Sequence, residues 1–380
     1  MSMFKIIEYP RNALLNTGIW PQTHFIPIYR FRVVLTMGNV LLLFLCLAYN
    51  AYLQTDDFVQ FSKSLYMLTS IFNTLMKFLM LTVNGKKLLK LYGLMDKSSF
   101  NNFNHLYGIT IEEFVKIFKK TQYIYFLTAI GAMLFLSLIP VWESKPLPLD
   151  FPFFNSGIFH YPFYIFETYS IYMTAYCNVA IDILTVGCMV VGGIQLKILN
   201  RKLMDTEKNV SLAENSTENV NELTVEYIVE CCMHYIDIEE YIKCLQEVFS
   251  IPIFIQMGSS VVAMCNSGMM ILSVNPLSVE ALSIVFYFMG MFCQLSLYCS
   301  FGDFVYTESL MIRTSCYLWP WYKRNQRVKK TLFMLMERSK KPIEIKGLNF
   351  VTLSFNSFIG ILKWSYSYFT LLRNYTNKHN

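Results

Sequence analysis

Seven blocks of mostly apolar sequence recur along this 380-residue chain, each near the length needed to cross a bilayer. They lie at about 33–53, 58–82, 121–142, 169–196, 248–274, 278–304 and 346–372. A transmembrane helix needs ~20 such residues, and it must bond every backbone N–H and C=O internally because lipid offers no partner. Composition agrees with this reading: 54% of residues are hydrophobic, 15% are charged, and the mean hydropathy is +0.38. A soluble domain carries ~25% charged residues. The chain is therefore expected to be an all-α integral membrane protein with seven transmembrane helices. Pro10, Pro21 and Pro27 interrupt the first thirty residues, so no cleavable signal is read there and the first span serves as its own anchor. The second block is broken by Lys63 and Lys77, and the seventh by Lys346, Asn349, Asn356 and Lys363.

Basic residues orient the chain. Segments 1–30, 83–120, 197–247 and 305–345 hold 24 of the 32 Lys and Arg residues; the alternate connections and the C-terminal tail hold three. Cytosolic segments collect Lys and Arg, so the N-terminus is expected in the cytosol and, after seven crossings, the C-terminus outside. Two glycosylation patterns, Asn209-Val210-Ser211 and Asn215-Ser216-Thr217, fall in a segment that the charges assign to the cytosol. Short patterns of this kind arise by chance, and the charge distribution is preferred. The flanks near 190–202 and 226–247 read as helices that extend the spans into the cytosol. None of the ten cysteines falls in an outer segment, and no CxxC pair is present. Neither a disulfide framework nor a zinc site is expected.

The five histidines show no HExxH pattern, and no GxSxG, P-loop or GxGxxG motif occurs. The chain is not expected to be an enzyme, to carry a cofactor or metal, or to bind nucleic acid. Charge inside a span is costly and marks either function or packing. Asp182, in the fourth span, fits a residue lining a wet cavity, or a polar contact between helices with Asn178 one turn away. The second of these is preferred. Lys77 and Lys63 are read as snorkelling toward the cytosolic and outer ends of the second span.

Aromatic and sulfur-containing residues crowd the outer halves of several spans: Tyr66 and Met67, Met133 and Phe135, then Tyr169, Tyr172, Met173 and Tyr176. Ser70, Thr128, Gly131 and Ser283 stand among them. Such surfaces adapt to apolar ligands while a few polar groups set orientation; for any one residue, helix packing is the simpler reading. Segment 146–168, rich in proline and aromatic rings, reads equally as a lid over a hydrophobic site or as an interfacial belt. In the last block, Ser367, Leu371 and Asn374 share one helical face. A polar stripe with one bulky apolar ring suits a water-filled pore with a hydrophobic gate, although spacing alone favours Ser/Thr packing between helices.

The C-terminal region resembles the insect odorant receptor family, through FGDFVYTESL (301–310), YLWPWY (317–322), KKTLFMLMERSKKPIEIKGLNF (329–350) and SFNSFIGILKWSYSYFTLLRN (354–374). The resemblance implies a tetrameric, odorant-gated, non-selective cation channel built from a tuning subunit and a shared co-receptor subunit, in the plasma membrane of a sensory neuron dendrite. It implies a small volatile apolar ligand held in the outer half of the region 1–304 that carries the first six spans, with Thr128, Gly131, Phe135, Tyr172, Met173 and Tyr176 at pocket positions. It further implies a cytosolic anchor segment over 305–345, then a pore-lining last helix and short tail over 346–380, with the gate at Leu371 and Asn374 just outside it. The ending Thr370-Leu371-Leu372-Arg373-Asn374 and the shorter intracellular segment depart from the co-receptor, so the chain looks like a tuning receptor. The competing classes are a gustatory receptor-like channel, a transporter and a G-protein-coupled receptor. The last would need an outside N-terminus and an NPxxY pattern, and Asn275-Pro276 is an outer turn instead.

Overall fold

The computed structural model describes residues 4–22, 27–54, 58–101, 105–142, 160–207, 210 and 220–379. The two glycosylation patterns, the Lys63 side chain and most of the 146–168 segment lie outside the residues described. The helices described are α1 (Phe4–Thr17), α2 (Pro27–Leu53), α3 (Phe58–Val83), α4 (Gly85–Leu94), α5 (Ser98–Asn101) and α6 (His105–Trp142). They continue with α7 (His160–Met204), α8 (Val220–Ser273), α9 (Val279–Leu318), α10 (Gln326–Arg338) and α11 (Phe355–His379). A hairpin of β1 (Lys346–Gly347) and β2 (Val351–Thr352) precedes α11.

Among the described residues, six helices are long and apolar enough to cross a bilayer: α2, α3, α6, α7, α8 and α9. The seventh, α11, has 25 residues but is less apolar, and it begins at Phe355 rather than at 346. The residues before it turn instead of spanning. Leu348 and Asn349 adopt φ of 47° and 61°, a left-handed backbone that side chains seldom take. Ser250 of α8 holds this turn, accepting from the Leu348 N–H at 2.8 Å and donating to the Lys346 carbonyl at 3.2 Å. Ser354 then caps α11 by accepting from the Ser357 N–H at 3.2 Å.

Four helices far outrun the membrane. At ~1.5 Å per residue, the 38 residues of α6, 45 of α7, 54 of α8 and 40 of α9 reach ~57, ~68, ~81 and ~60 Å. The hydrocarbon layer is only ~30 Å thick. The flanks at 190–202 and 226–247 are helical continuations, as the sequence suggested. Ion pairs gather on these extensions. Lys97 meets Asp237 at 2.6 Å and Glu240 at 2.9 Å, and Arg338 of α10 meets Glu239 at 2.7 Å. Donating hydrogen bonds to Asp237 and Glu240 holds the Lys97 ammonium above the usual lysine range. Part-exposed pairs like these contribute at most ~1 kcal/mol each. Their effect is to fix where the short helices dock on α8.

The core is organised around α7, in which every residue from Val179 to Leu196 is buried. In contrast, α2 presents Leu41, Leu42 and Leu45 outward, the apolar face expected of a helix against lipid. A helix apolar all round is read as a central one and a one-sided helix as peripheral; α7 and α2 take those places.

Candidate functional site

The centre of the bundle is polar. Lys77 of α3 and Asp182 of α7 form an ion pair with side-chain exposures of 0% and 2%. The Asp182 carboxylate also accepts from Tyr125 of α6 at 2.9 Å, from Tyr298 of α9 at 2.8 Å and from the Gln294 amide of α9. A carboxylate offers about four lone-pair positions, and here they are filled. Lys77 donates a second hydrogen bond to Asn178 Oδ1 at 2.8 Å. Gln256 of α8 accepts from Gln294 at 3.1 Å and from Asn73 of α3 at 2.6 Å. Burying two ions costs several kcal/mol each and is tolerated only where attraction and hydrogen bonds are close to complete. This network meets that condition and joins five helices.

The structure corrects the reading of Lys77. Its ammonium does not snorkel to a membrane surface but points inward to Asp182. Asp182 does make a polar interhelical contact, but its partner is Lys77, and Asn178 binds the same ammonium.

A cavity of about 80 Å³ opens directly above the network. This is several times the ~10–15 Å³ that one water needs. Tyr125, Asn178 and Gln294 belong to both network and cavity. The walls come from Met67, Ser70 and Thr74 of α3; Thr128, Ala132 and Met133 of α6; Ile171 and Thr174 of α7; and Phe286, Tyr287 and Met291 of α9. The lining is mostly apolar with a polar floor, the pattern of a small-molecule site.

The residues expected at a pocket separate into three groups. Met67, Ser70 and Thr128 line this cavity. Tyr66, Gly131, Phe135 and Ser283 stand one layer behind it. Tyr66 packs edge-on against Tyr287, with ring centroids 5.1 Å apart. Phe135 packs on Phe286 at 5.2 Å. A Cβ added to Gly131 would meet the Phe286 ring at 2.5 Å. Ser283 donates to the Ala132 carbonyl at 3.3 Å and ties α9 to α6. Tyr172, Met173 and Tyr176 lie off the cavity, because on a helix of 3.6 residues per turn the inward face of α7 is 171, 174, 175 and 178. The Tyr172 hydroxyl instead stands 3.3 Å from Ser137 Oγ. Thr174, Tyr287 and Gln294 were not anticipated as pocket residues. The period of α7 would have selected Thr174, and an amide such as Gln294 in the middle of an apolar span is itself a signal.

On α11, Ser367, Leu371 and Asn374 are all exposed, with Leu371 at 63%. The opposite side of this helix packs on α8, where a Cβ added to Gly268 would stand 3.0 Å from the Phe369 ring.

This architecture matches solved structures along its whole length. The insect olfactory receptor OR5 from Machilis hrabei, determined in complex with eugenol, superposes with a TM-score of 0.81, covering 98% of each chain at 16% identity. In sequence, the chain is 24% identical over 186 residues to Odorant receptor 10 of Aedes albopictus, covering 49% of this chain and 48% of that one. To the odorant receptor coreceptor of Ooceraea biroi it is 23% identical over 148 residues, covering 39% of this chain and 30% of that one. The alignments thus span half or less of these curated relatives. The family model described as 7tm Odorant receptor matches residues 57–366. With that match over most of its length and its six long apolar helices, the chain is a multi-pass membrane protein belonging to the 7tm odorant receptor family.

Proposed function

We propose that this chain is a ligand-tuning subunit of an odorant-gated, non-selective cation channel, assembled as a tetramer with an odorant co-receptor subunit in the plasma membrane of a sensory dendrite. The supporting observation is the position of the cavity between α3, α6, α7 and α9. Its floor is the buried network, which reaches α8, and α8 packs against α11 through Gly268 and Phe369. A small apolar ligand in the cavity contacts four helices at once. It opens the channel only to the extent that it binds the open arrangement better than the closed one. A changed packing of α9 and α8 around Gln294 and Gln256 is then carried to α11. There Leu371, on the exposed face, forms the hydrophobic ring of the gate, with Ser367 and Asn374 beside it. In this reading the N-terminus is cytosolic, segment 305–345 is the anchor where subunits meet, and the C-terminal tail is outside.

The test is whole-cell current in cells expressing the chain with and without a co-receptor subunit, across a panel of volatile odorants. Current that requires both subunits supports the reading. Saturable uptake of a compound, without current, would favour a transporter. Ligand-evoked current from this chain in the absence of any co-receptor would return the assignment to a self-sufficient channel of the gustatory-like kind.

A further inference from the structure

Five of the donor-bearing side chains that line the cavity are engaged by the protein itself. The Thr74, Thr128 and Thr174 hydroxyls donate to carbonyls three or four residues back in their own helices, at 3.0, 2.8 and 2.7 Å. Tyr125 donates to Asp182, and the Gln294 amide donates to Asp182 and Gln256. The Tyr287 hydroxyl is different. It is shielded from solvent and makes no well-aligned hydrogen bond among the described residues; the polar group beside it is the Ser70 hydroxyl, itself part of the cavity wall. Tyr287 is 8% exposed and lines the cavity. Its ring is fixed by the edge-on contact with Tyr66. A buried donor without an acceptor is costly, and the cost disappears when an acceptor arrives.

Asn178 adds a second donor of the same kind. Its Oδ1 must face the Lys77 ammonium, because an ammonium can only donate. The Nδ2 end is thereby turned away from Lys77 at the cavity floor, and no hydrogen bond is made by it among the described residues. The open hydrogen-bonding capacity of the cavity thus includes two unengaged donors in an otherwise apolar enclosure.

We propose that the Tyr287 hydroxyl sets ligand selectivity, favouring a small, largely apolar molecule with one hydrogen-bond acceptor, such as a ketone or ester, over a hydrocarbon of the same shape. This inference rests on the cavity being the odorant site. The acceptor occupies the Tyr287 hydroxyl, and the apolar remainder lies against Met67, Met133, Phe286 and Met291.

The experiment uses a volatile ketone and the hydrocarbon in which a methylene replaces the carbonyl. Both are measured on the wild type, on Tyr287→Phe and on Met291→Leu, each co-expressed with a co-receptor and checked for surface expression. Evoked current and ligand-induced thermal stabilisation of the purified chain are read in parallel. The wild type is expected to prefer the ketone by about tenfold, the equivalent of one buried hydrogen bond. Tyr287→Phe is expected to abolish that preference by weakening the ketone alone, and Met291→Leu to shift both compounds together. A ketone preference that survives Tyr287→Phe, or a wild type that binds the pair equally, overturns the assignment. Selective stabilisation by the ketone, lost in Tyr287→Phe but unaccompanied by current, would uphold the selectivity and reject the channel reading instead. Stabilisation by neither compound would reject the cavity as the site and the inference with it.

Discussion

Lys77 and Asp182, 105 residues apart in sequence, meet in the middle of the bundle with essentially no exposure to solvent. Each is the other's counterion, so replacing one leaves a buried charge unpaired. Lys77→Met or Asp182→Leu should each destabilise the chain by ~3–5 kcal/mol. The double variant should recover much of that loss, because removing both charges also removes their desolvation cost. Thermal melting of the detergent-solubilised protein, with surface expression alongside, checks this. A double variant destabilised by the sum of the two single losses would show that the two sites act independently.

The Phe286 ring fills the space that a side chain at position 131 would take. Gly131→Ala forces it away from α6 while Phe135 restrains it on another side. Overpacking of this kind costs ~1–3 kcal/mol. Because Phe286 lines the cavity, the expected result is a loss of potency that grows with ligand size, read from dose–response curves for a homologous series. Equal shifts for every member would mean that the ring moves elsewhere.

Leu371 is tested through basal current. Leu371→Ser should wet a hydrophobic gate and raise current in the absence of odorant. Basal and evoked currents both unchanged from wild type would exclude Leu371 from the gate.

Gly302 of α9 lies against the hairpin that begins the last helix. A Cβ there would stand 2.3 Å from Leu353 Cβ and 2.8 Å from its carbonyl oxygen. Gly302→Ala should therefore displace backbone and lower the melting temperature. It should also reduce maximal current while leaving the half-maximal odorant concentration within about twofold, since Gly302 is remote from the cavity lining. An unaltered melting temperature would show that the hairpin yields without penalty.

The spans were legible because lipid imposes a single requirement, a long apolar stretch, and α2, α3, α6, α7, α8 and α9 all meet it. The extensions of α7 and α8 were legible as helical flanks at 190–202 and 226–247. Their docking was not, because it rests on ion pairs such as Lys97–Asp237 between segments far apart in the chain. The start of α11 lies later than the sequence expectation because Leu348, Phe350, Val351 and Leu353 carry the apolar block back toward 346, while the bonds made by Ser250 fold that stretch into a hairpin. Asp182 was conspicuous as a charge within a span, but its partner was not. Lys77 lies near a helix end in sequence, and only three-dimensional packing brings that level of α3 against the middle of α7. The cavity was read in part. Met67, Ser70 and Thr128 reach it, while Tyr172, Met173 and Tyr176 belong to another face of α7. Composition identified the aromatic-rich region, and helix rotation decided which of its side chains turn inward.

The buried pair also has a history within each molecule. Lys77 leaves the ribosome 105 residues before Asp182, an interval of roughly 5–20 s at ~5–20 residues per second. During that time α3 enters the membrane carrying an ammonium without its permanent counterion, at an insertion cost below the ~2.5–3.5 kcal/mol of a lysine at a helix centre, because Lys77 lies toward the end of α3. Insertion of α3 is therefore provisional until α7 arrives, and the order of synthesis makes the fourth long apolar helix the one that commits the second. A chain halted before Asp182 leaves the Lys77 ammonium in the membrane without its counterion.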